Sequence, residues 1–330
     1  MYCPWPFHQL YIGETGEATT CCPGWTSITL GNVLEESPLA LWRGERATKL
    51  RESIHDQSFR YCIKCGNPES LIENQAPAVA ADLNLIYRLL LSYDPLCNLK
   101  CPSCRNAPRR NDMAQRIHDA VVSSGVLKHT MILEVSGGGD PIASPLFWSL
   151  LTDKLEHHPG MKVDLKTNGL LVTPERLAAI RAAGRIINCI NISVDAACEA
   201  TYAINRGGDW WRLMSNMEAI RDYPCWRQWN FVVQANNFRE MADFVRLSSV
   251  YKVGTLFFSA LDNWGSYTDE DYRSRAVHLP GHPEHQEFLD MLSDSVFWDE
   301  RIIMAKIPLY RQGHVHDHRT SDAHFKPAAK

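Results

Sequence analysis

An α/β fold, in the form of a partial TIM-like barrel of six (β/α) units behind a small N-terminal module, is what the sequence predicts. Three observations predict it. From about residue 86, short apolar runs rich in β-branched and aromatic residues alternate with helix-like segments. The helices carry readable start and stop signals. The residues with the most chemical character follow directly after apolar runs, where parallel sheets place their sites.

The predicted strands are "IYRLLLSY" (86–93), "MILEVS" (131–136), "KVDLKT" (162–167), "INCINISV" (187–194), "WNFVVQ" (229–234) and "TLFFSAL" (255–261). Ser144-Pro145 opens a helix predicted to stop at Gly160, and Thr173-Pro174-Glu175 opens another that stops at Gly184. Strand–helix–strand units demand right-handed crossovers, and six of them fall short of the eight in a complete TIM barrel. Beyond Asp262 come one helix in "HPEHQEFLDMLSD", a strand-like "ERIIMAKIPLY" and a polar tail carrying His314, His316, His318 and His324. The first 75 residues have no βα period, and "SLIENQAPAVAADLN" reads as a linker. The predicted domains are therefore 1–75, 76–262 and a C-terminal extension, 263–330.

At 330 residues the chain can bury a sizeable core. A net charge of −4 without long runs of one sign argues against generic binding to nucleic acid or anionic lipid. "MYCPWPFHQL" lacks the features of a secretory signal, and no apolar run reaches membrane-spanning length, so a soluble, cytoplasmic protein without a membrane partner is expected. Eight of the 11 cysteines are clustered, five early and three at 97, 101 and 104, with Cys189, Cys198 and Cys225 scattered, a pattern that in a reducing compartment suits metal rather than disulfides.

"YDPLCNLKCPSC" sets Cys97, Cys101 and Cys104 at C-x-x-x-C-x-x-C spacing after the first long strand. A closed zinc site wants four protein ligands. Three thiolates on a [4Fe-4S] cluster leave one iron able to bind a small chelating molecule. At this spacing and place the loop resembles the signature of the radical S-adenosylmethionine superfamily, although zinc ribbons and ferredoxin-like loops use similar spacings. The resemblance implies that the cluster, once reduced, cleaves S-adenosylmethionine to a 5′-deoxyadenosyl radical.

Three further stretches carry the resemblance. Gly138, Gly139, Asp140 and Pro141 in "SGGGDP" are similar to the family's G-G-E-P element, which implies close backbone approach to the cofactor's ammonium group. "LKTNGLL" offers Thr167 and Asn168 near the ribose. "INISVDA" offers Ser193 and Asp195, and Arg206 in "YAINRGG" matches the cation that meets the cofactor's carboxylate. Each stretch has an ordinary reading as a glycine loop, a helix cap or a solvated cation; their succession at consecutive strand ends outweighs it. Ser103 stands where many members have an aromatic residue bordering the adenine, so that packing is expected around Val233, Gln234 or Leu261.

The segment from "YCPWPFHQLYIGETGEATTCCPGW" through "LGNVLEESPLALWRGERATKLRESI" to "RYCIKCGNPES" resembles a SPASM/twitch-like auxiliary iron-sulfur module, here ahead of the barrel rather than behind it. The resemblance implies a second [4Fe-4S] cluster on Cys3, one of Cys21 and Cys22, Cys62 and Cys65. Four such thiolates also suit tetrahedral zinc, and the sequence does not separate the metals.

The expected function is radical S-adenosylmethionine chemistry on a substrate carbon, with a peptide or protein side chain as first choice and an electron donor such as flavodoxin or ferredoxin as partner. The alternatives are radical modification of a small metabolite, sugar or nucleotide, and a zinc-stapled binding module without catalysis. Cys189, Cys198, Cys225 and Tyr202 are weaker candidates for radical quenching, Arg105, Arg109 and Arg110 for anion binding, and Trp226, Trp229 and Trp264 for pocket walls; buried or solvated structural roles compete for all of them.

Overall fold

The computed structural model describes residues 2–21, 24–63, 71, 83–104, 109–135, 138–311 and 314–316. The chain divides into two compact units, residues 1–98, 109–167 and 174–189 forming one, and residues 99–108, 168–173 and 190–330 the other.

The first unit begins with α1 (Trp5–His8), β1 (Gln9–Ile12), β2 (Glu17–Thr19), β3 (Gly31–Asn32), α2 (Pro38–Arg43) and α3 (Glu45–His55), then β4 (Ile86–Leu91), α4 (Ala114–Ser123), β5 (Thr130–Val135), α5 (Pro145–Thr152), β6 (Lys162–Thr167) and α6 (Pro174–Ala182). Its strands lie in the order β3-β2-β1-β4-β5-β6, with β1, β4, β5 and β6 parallel and β2 and β3 antiparallel. The parallel sheet thus extends into the N-terminal segment, where a four-residue strand was too short to show a period. Leu10 and Ile12 of β1 are fully buried.

Alternation along these strands separates two faces. Leu89, Leu91, Leu133, Val135, Val163 and Leu165 are fully buried, each stabilising the fold by roughly 1.5–3 kcal/mol. The face bearing Glu134 opposite Asp164 is polar. There Arg88 pairs with Glu134 and, at 3.0 Å, with Asp164, which also accepts from the Asn188 amide at 2.7 Å. Burial opposes ionisation of both carboxyls; Arg88 and Lys166 still hold Glu134 below the ordinary range, whereas Asp164 stays above it.

Helix α5 starts as read, with Ser144 Oγ accepting from Phe147 N at 3.1 Å and Pro145 in the first turn. It ends at Thr152, well before Gly160. Arg185, 2% exposed, explains the early stop: its guanidinium donates to the carbonyls of Leu150, Asp153 and Leu155 and contacts His157, satisfying groups that another helical turn would have claimed. Gly184, at φ +85°, closes α6 as expected.

Strand β7 (Ile186–Ser193) begins in the first unit's residues and ends in the second's. The second unit continues with α7 (Glu199–Asn205), α8 (Trp210–Ala219), β8 (Trp226–Val233), α9 (Met241–Val250), β9 (Thr255–Ala260), α10 (Asp269–Arg275), α11 (His285–Met291), β10 (Ile302–Ala305) and the antiparallel pair β11 (Leu309–Arg311) and β12 (His314–His316). Strands β8, β9 and β10 are parallel, so the strand-like "ERIIMAKIPLY" adds a strand beyond the six predicted. Its core is aromatic: Phe231 and Phe244 lie 4.9 Å apart, Phe231 and Phe258 5.5 Å, and Trp229 and Phe244 5.6 Å. Trp229 belongs to that core, while Trp226 and Trp264 are exposed. Among the described residues no helix is long and apolar enough to cross a membrane. His318 and His324 lie outside the described residues.

Candidate functional site

In the first unit the loops after β4, β5 and β6 are bound into one knot. Asp94, three residues after β4, is 7% exposed; one carboxylate oxygen accepts from Leu96 N at 3.1 Å and the other from Ser144 Oγ at 2.5 Å. Asp140 N donates to Leu96 O at 2.8 Å, which ties the glycine loop to the segment leading into Cys97, itself half-buried. Gly139 is packed hard against that segment: a Cβ there would come 2.5 Å from Leu96 O and 2.6 Å from Asp94 O. On Gly138 it would lie 3.0 Å from Glu14 Oε1. Gly139→Ala is therefore expected to push the segment leading into Cys97 away from the glycine loop and to lower the thermal midpoint by several degrees; an unchanged midpoint would contradict it.

Asp140, 1% exposed, uses both carboxylate oxygens inside the fold, one accepting from Ile142 N at 3.0 Å and the other from Thr167 Oγ1 at 2.7 Å. Both side chains thus brace the ends of β5 and β6, and Pro141 is buried beside them. Arg109 pairs with Glu14; Arg105 lies outside the described residues.

In the second unit Cys101 is 5% exposed and Cys104 is exposed, with Cys104 N donating to Cys101 O at 3.0 Å across a tight turn. The Cys101 thiol lies 3.7 Å from Arg206 O. Ser266 Oγ donates to Ser103 O at 3.2 Å, so the loop after β9 holds the cysteine turn. Asn168 and Gly169 form the turn after β6: Asn168 Oδ1 accepts from Leu170 N at 3.0 Å, and Gly169, at φ +83°, sits where a Cβ would come 2.6 Å from Leu213.

A second knot centres on Asp195, which follows β7 and is 2% exposed. Its φ of +60° is a left-handed conformation that a non-glycine residue keeps only when its surroundings over-determine it. They do. Its carboxylate meets Arg206 Nη1 at 3.0 Å and Val232 N at 2.7 Å, and its carbonyl accepts from Asn205 and Asn237 amides at 2.9 and 3.0 Å. Burial pushes the Asp195 carboxyl up, and Arg206 opposes it. Ser193 is half-buried at the end of β7. Gln234, 2% exposed, donates its backbone N–H to Asn237 Oδ1 at 2.7 Å, while its side-chain oxygen has no hydrogen-bond partner among the described residues.

Sequence reasoning singled out the cysteines, the glycines, Asp195 and Arg206, but not that Asp195 and Arg206 pair with each other. It missed Asp94 and Ser144, although a carboxylate between an apolar run and a cysteine loop was a signal, and it missed Asn205 and Asn237, which carry none.

In the N-terminal segment Cys3 and Cys21 are half-buried and Cys62 is exposed, in an antiparallel bridge with Thr26. Burial and the neighbouring Cys3 push the Tyr2 phenol up. Cys22 and Cys65 lie outside the described residues. Among the described residues no three His, Cys, Asp or Glu side chains converge as a single metal ion requires. A [4Fe-4S] cluster asks for less convergence, because each thiolate takes its own iron. Cys189 and Cys225 are half-buried, and the exposed Cys198 lies 3.4 Å from the Glu240 carboxylate.

Comparison with known proteins matches residues 92–234 to the Radical SAM superfamily and residues 3–66 to the SPASM iron-sulfur cluster-binding domain. The chain is 32% identical over 164 residues to the AdoMet-dependent heme synthase of Methanosarcina barkeri, covering 46% of this chain and 44% of that one. It is 28% identical over 207 residues to the mycofactocin maturase MftC of Mycobacterium tuberculosis, covering 60% of this chain and 50% of the relative. The chain thus spans about half the length of these curated relatives. Streptococcus suis SuiB bound to precursor peptide SuiA aligns with a TM-score of 0.46 at 12% identity, over 83% of this chain and 65% of SuiB. The superfamily domain implies a [4Fe-4S] cluster and S-adenosylmethionine, and the SPASM domain implies auxiliary iron-sulfur clusters. Residues 92–234 thus carry a radical SAM superfamily domain, and residues 3–66 an iron-sulfur cluster-binding SPASM domain that precedes it in the sequence.

Proposed function

We propose that the protein is a radical S-adenosylmethionine enzyme that modifies a peptide or protein side chain. The observation that carries the reading is the three-cysteine loop after β4, set within the superfamily match and braced by two independent hydrogen-bonded knots.

The residues fit the cofactors. Gln234 Oε1 is a buried acceptor without a partner among the described residues, as expected of a group awaiting a ligand donor. Arg206, its side chain 12% exposed, supplies a cation for a carboxylate. In this reading Cys97, Cys101 and Cys104 hold the cleaving cluster. Gly138 and Gly139 offer backbone, with Asp140, Pro141 and Thr167 shaping that backbone rather than reaching the ligand. Asn168, Ser193, Asp195, Arg206 and Gln234 line the rest. Cys3, one of Cys21 and Cys22, Cys62 and Cys65 hold the auxiliary cluster.

When bound, the cluster and its cofactor supply one-electron cleavage of a carbon-sulfur bond and hydrogen abstraction from a substrate carbon. The chain's own part is positioning: Asp195 orients Arg206, and the Asp94–Ser144 and Asp140–Thr167 bonds hold the loops in register. The electron donor would be a flavodoxin or ferredoxin, and the compartment the cytoplasm. Residues 1–75, 76–262 and 263–330 serve as auxiliary module, barrel and extension.

Anaerobic reconstitution tests the reading. About eight irons per chain and release of 5′-deoxyadenosine under reductant are expected. Bound zinc without that release would instead support a non-catalytic binding module. Likeness to a heme synthase favours a second reading, small-molecule chemistry. A neighbouring gene for a short precursor peptide supports the first, and neighbouring small-molecule enzymes the second.

A further inference from the structure

Tyr202 carries an unused donor inside the second unit. It is fully buried, its ring packs 5.5 Å from that of Trp210, and its hydroxyl has no hydrogen-bond partner among the described residues. A buried hydroxyl left unpaired is costly, and phenylalanine would fill the same space without that cost.

The hydroxyl lies along the turn that follows α7. A Cβ on Gly208 would come 3.0 Å from it, so the turn makes room for the phenol by having glycine there. The same turn meets Cys101, whose sulfur lies 3.7 Å from Arg206 O. Tyr202 O accepts from Arg206 N at 2.8 Å and from Gly207 N at 3.2 Å, which holds the tyrosine and the turn in one frame. The O–H is intact at neutral pH, as it would be for an ordinary tyrosine.

We infer that, once Cys101 is a thiolate ligand, the Tyr202 O–H donates a hydrogen bond to its sulfur, making Tyr202 a positioning residue that raises the cluster's reduction potential. The Cys101 thiol donates to the Arg206 carbonyl at 3.7 Å. Ligation removes that proton and leaves an anionic sulfur, and Tyr202 is the buried donor held against the same turn. Hydrogen bonds to cluster sulfurs are among the main determinants of cluster potential. The inference rests on the reading of Cys97, Cys101 and Cys104 as cluster ligands.

The test compares anaerobically reconstituted wild type, Tyr202→Phe and Trp210→Phe by redox titration followed by EPR, with ENDOR of exchangeable protons. Tyr202→Phe should keep its iron, become at least about tenfold harder to reduce, equal to 59 mV for a one-electron couple, and lose one exchangeable-proton coupling. Trp210→Phe, which keeps the phenol, should leave both unchanged. An unaltered potential and coupling in Tyr202→Phe would overturn the inference alone, and an equal shift in Trp210→Phe would overturn it by assigning the effect to packing. A wild type that binds no cluster at the three cysteines would overturn the functional reading as well.

Discussion

Replacing Cys101 with alanine is expected to remove roughly four of about eight irons and to abolish 5′-deoxyadenosine formation, the largest functional loss for a single substitution in this chain. Cys101 is 5% exposed and is held against the turn carrying Arg206, so the remaining two thiolates would face a cluster with a second open iron. Two-thiolate attachment is weak, and alanine offers no lone pair to replace what is lost. Cys198→Ala is the control: that thiol is exposed and lies beside Glu240 and Thr201, so iron content and product should match the wild type. Iron assay and chromatography of the nucleoside read both outcomes. Cleavage retained in Cys101→Ala would contradict the ligand assignment.

Asp195→Ala is expected to cause the largest loss of stability. The carboxylate is 2% exposed and bonds both Arg206 and Val232 N. Removing it leaves a largely buried guanidinium without its carboxylate and an amide without its acceptor, a change that costs about 3–5 kcal/mol. Alanine at φ +60° adds backbone strain, because it lacks the polar side chain that lets aspartate tolerate the left-handed region. The calorimetric midpoint should fall on the order of 10 °C, and Asp195→Asn should fall less because it keeps an acceptor for Val232 N. A midpoint unchanged in Asp195→Ala would show that the knot does not hold β7, α7 and β8 together.

The sheet was legible because its strands are short segments rich in β-branched and apolar residues, which in those with one polar face alternate with polar ones. "KVDLKT" coincides with β6, and the strand read at 187–194 is found at Ile186–Ser193. Where the reading fell short, a distant residue intervened. Lys154, Leu155 and Glu156 after α5 are good helix formers, yet Arg185, some thirty positions away in sequence, takes the carbonyls of Leu150 and Asp153. Strand β1 is four residues long, too few for a period to show, and is recruited by the edge of β4. The same holds for the candidate site. Spacing points to three cysteines and a glycine bend whatever the tertiary contacts. That Asp140 and Thr167 bond to each other, or that the Tyr202 hydroxyl has no partner among the described residues, follows only from tertiary packing. The auxiliary set is legible as a pattern of cysteines; Cys22 and Cys65 fall outside the described residues.

The central claim is that Cys97, Cys101 and Cys104 leave one iron for the methionine end of the cofactor. The most direct measurement is ENDOR on the reduced, reconstituted protein with S-adenosylmethionine labelled by 15N at the amino group and 17O at the carboxylate. Both labels should couple to the cluster spin in the wild type, and Cys101→Ala should lose both couplings. A wild-type cluster whose spectrum ignores the cofactor, or a single bound zinc in place of a cluster, would contradict the account.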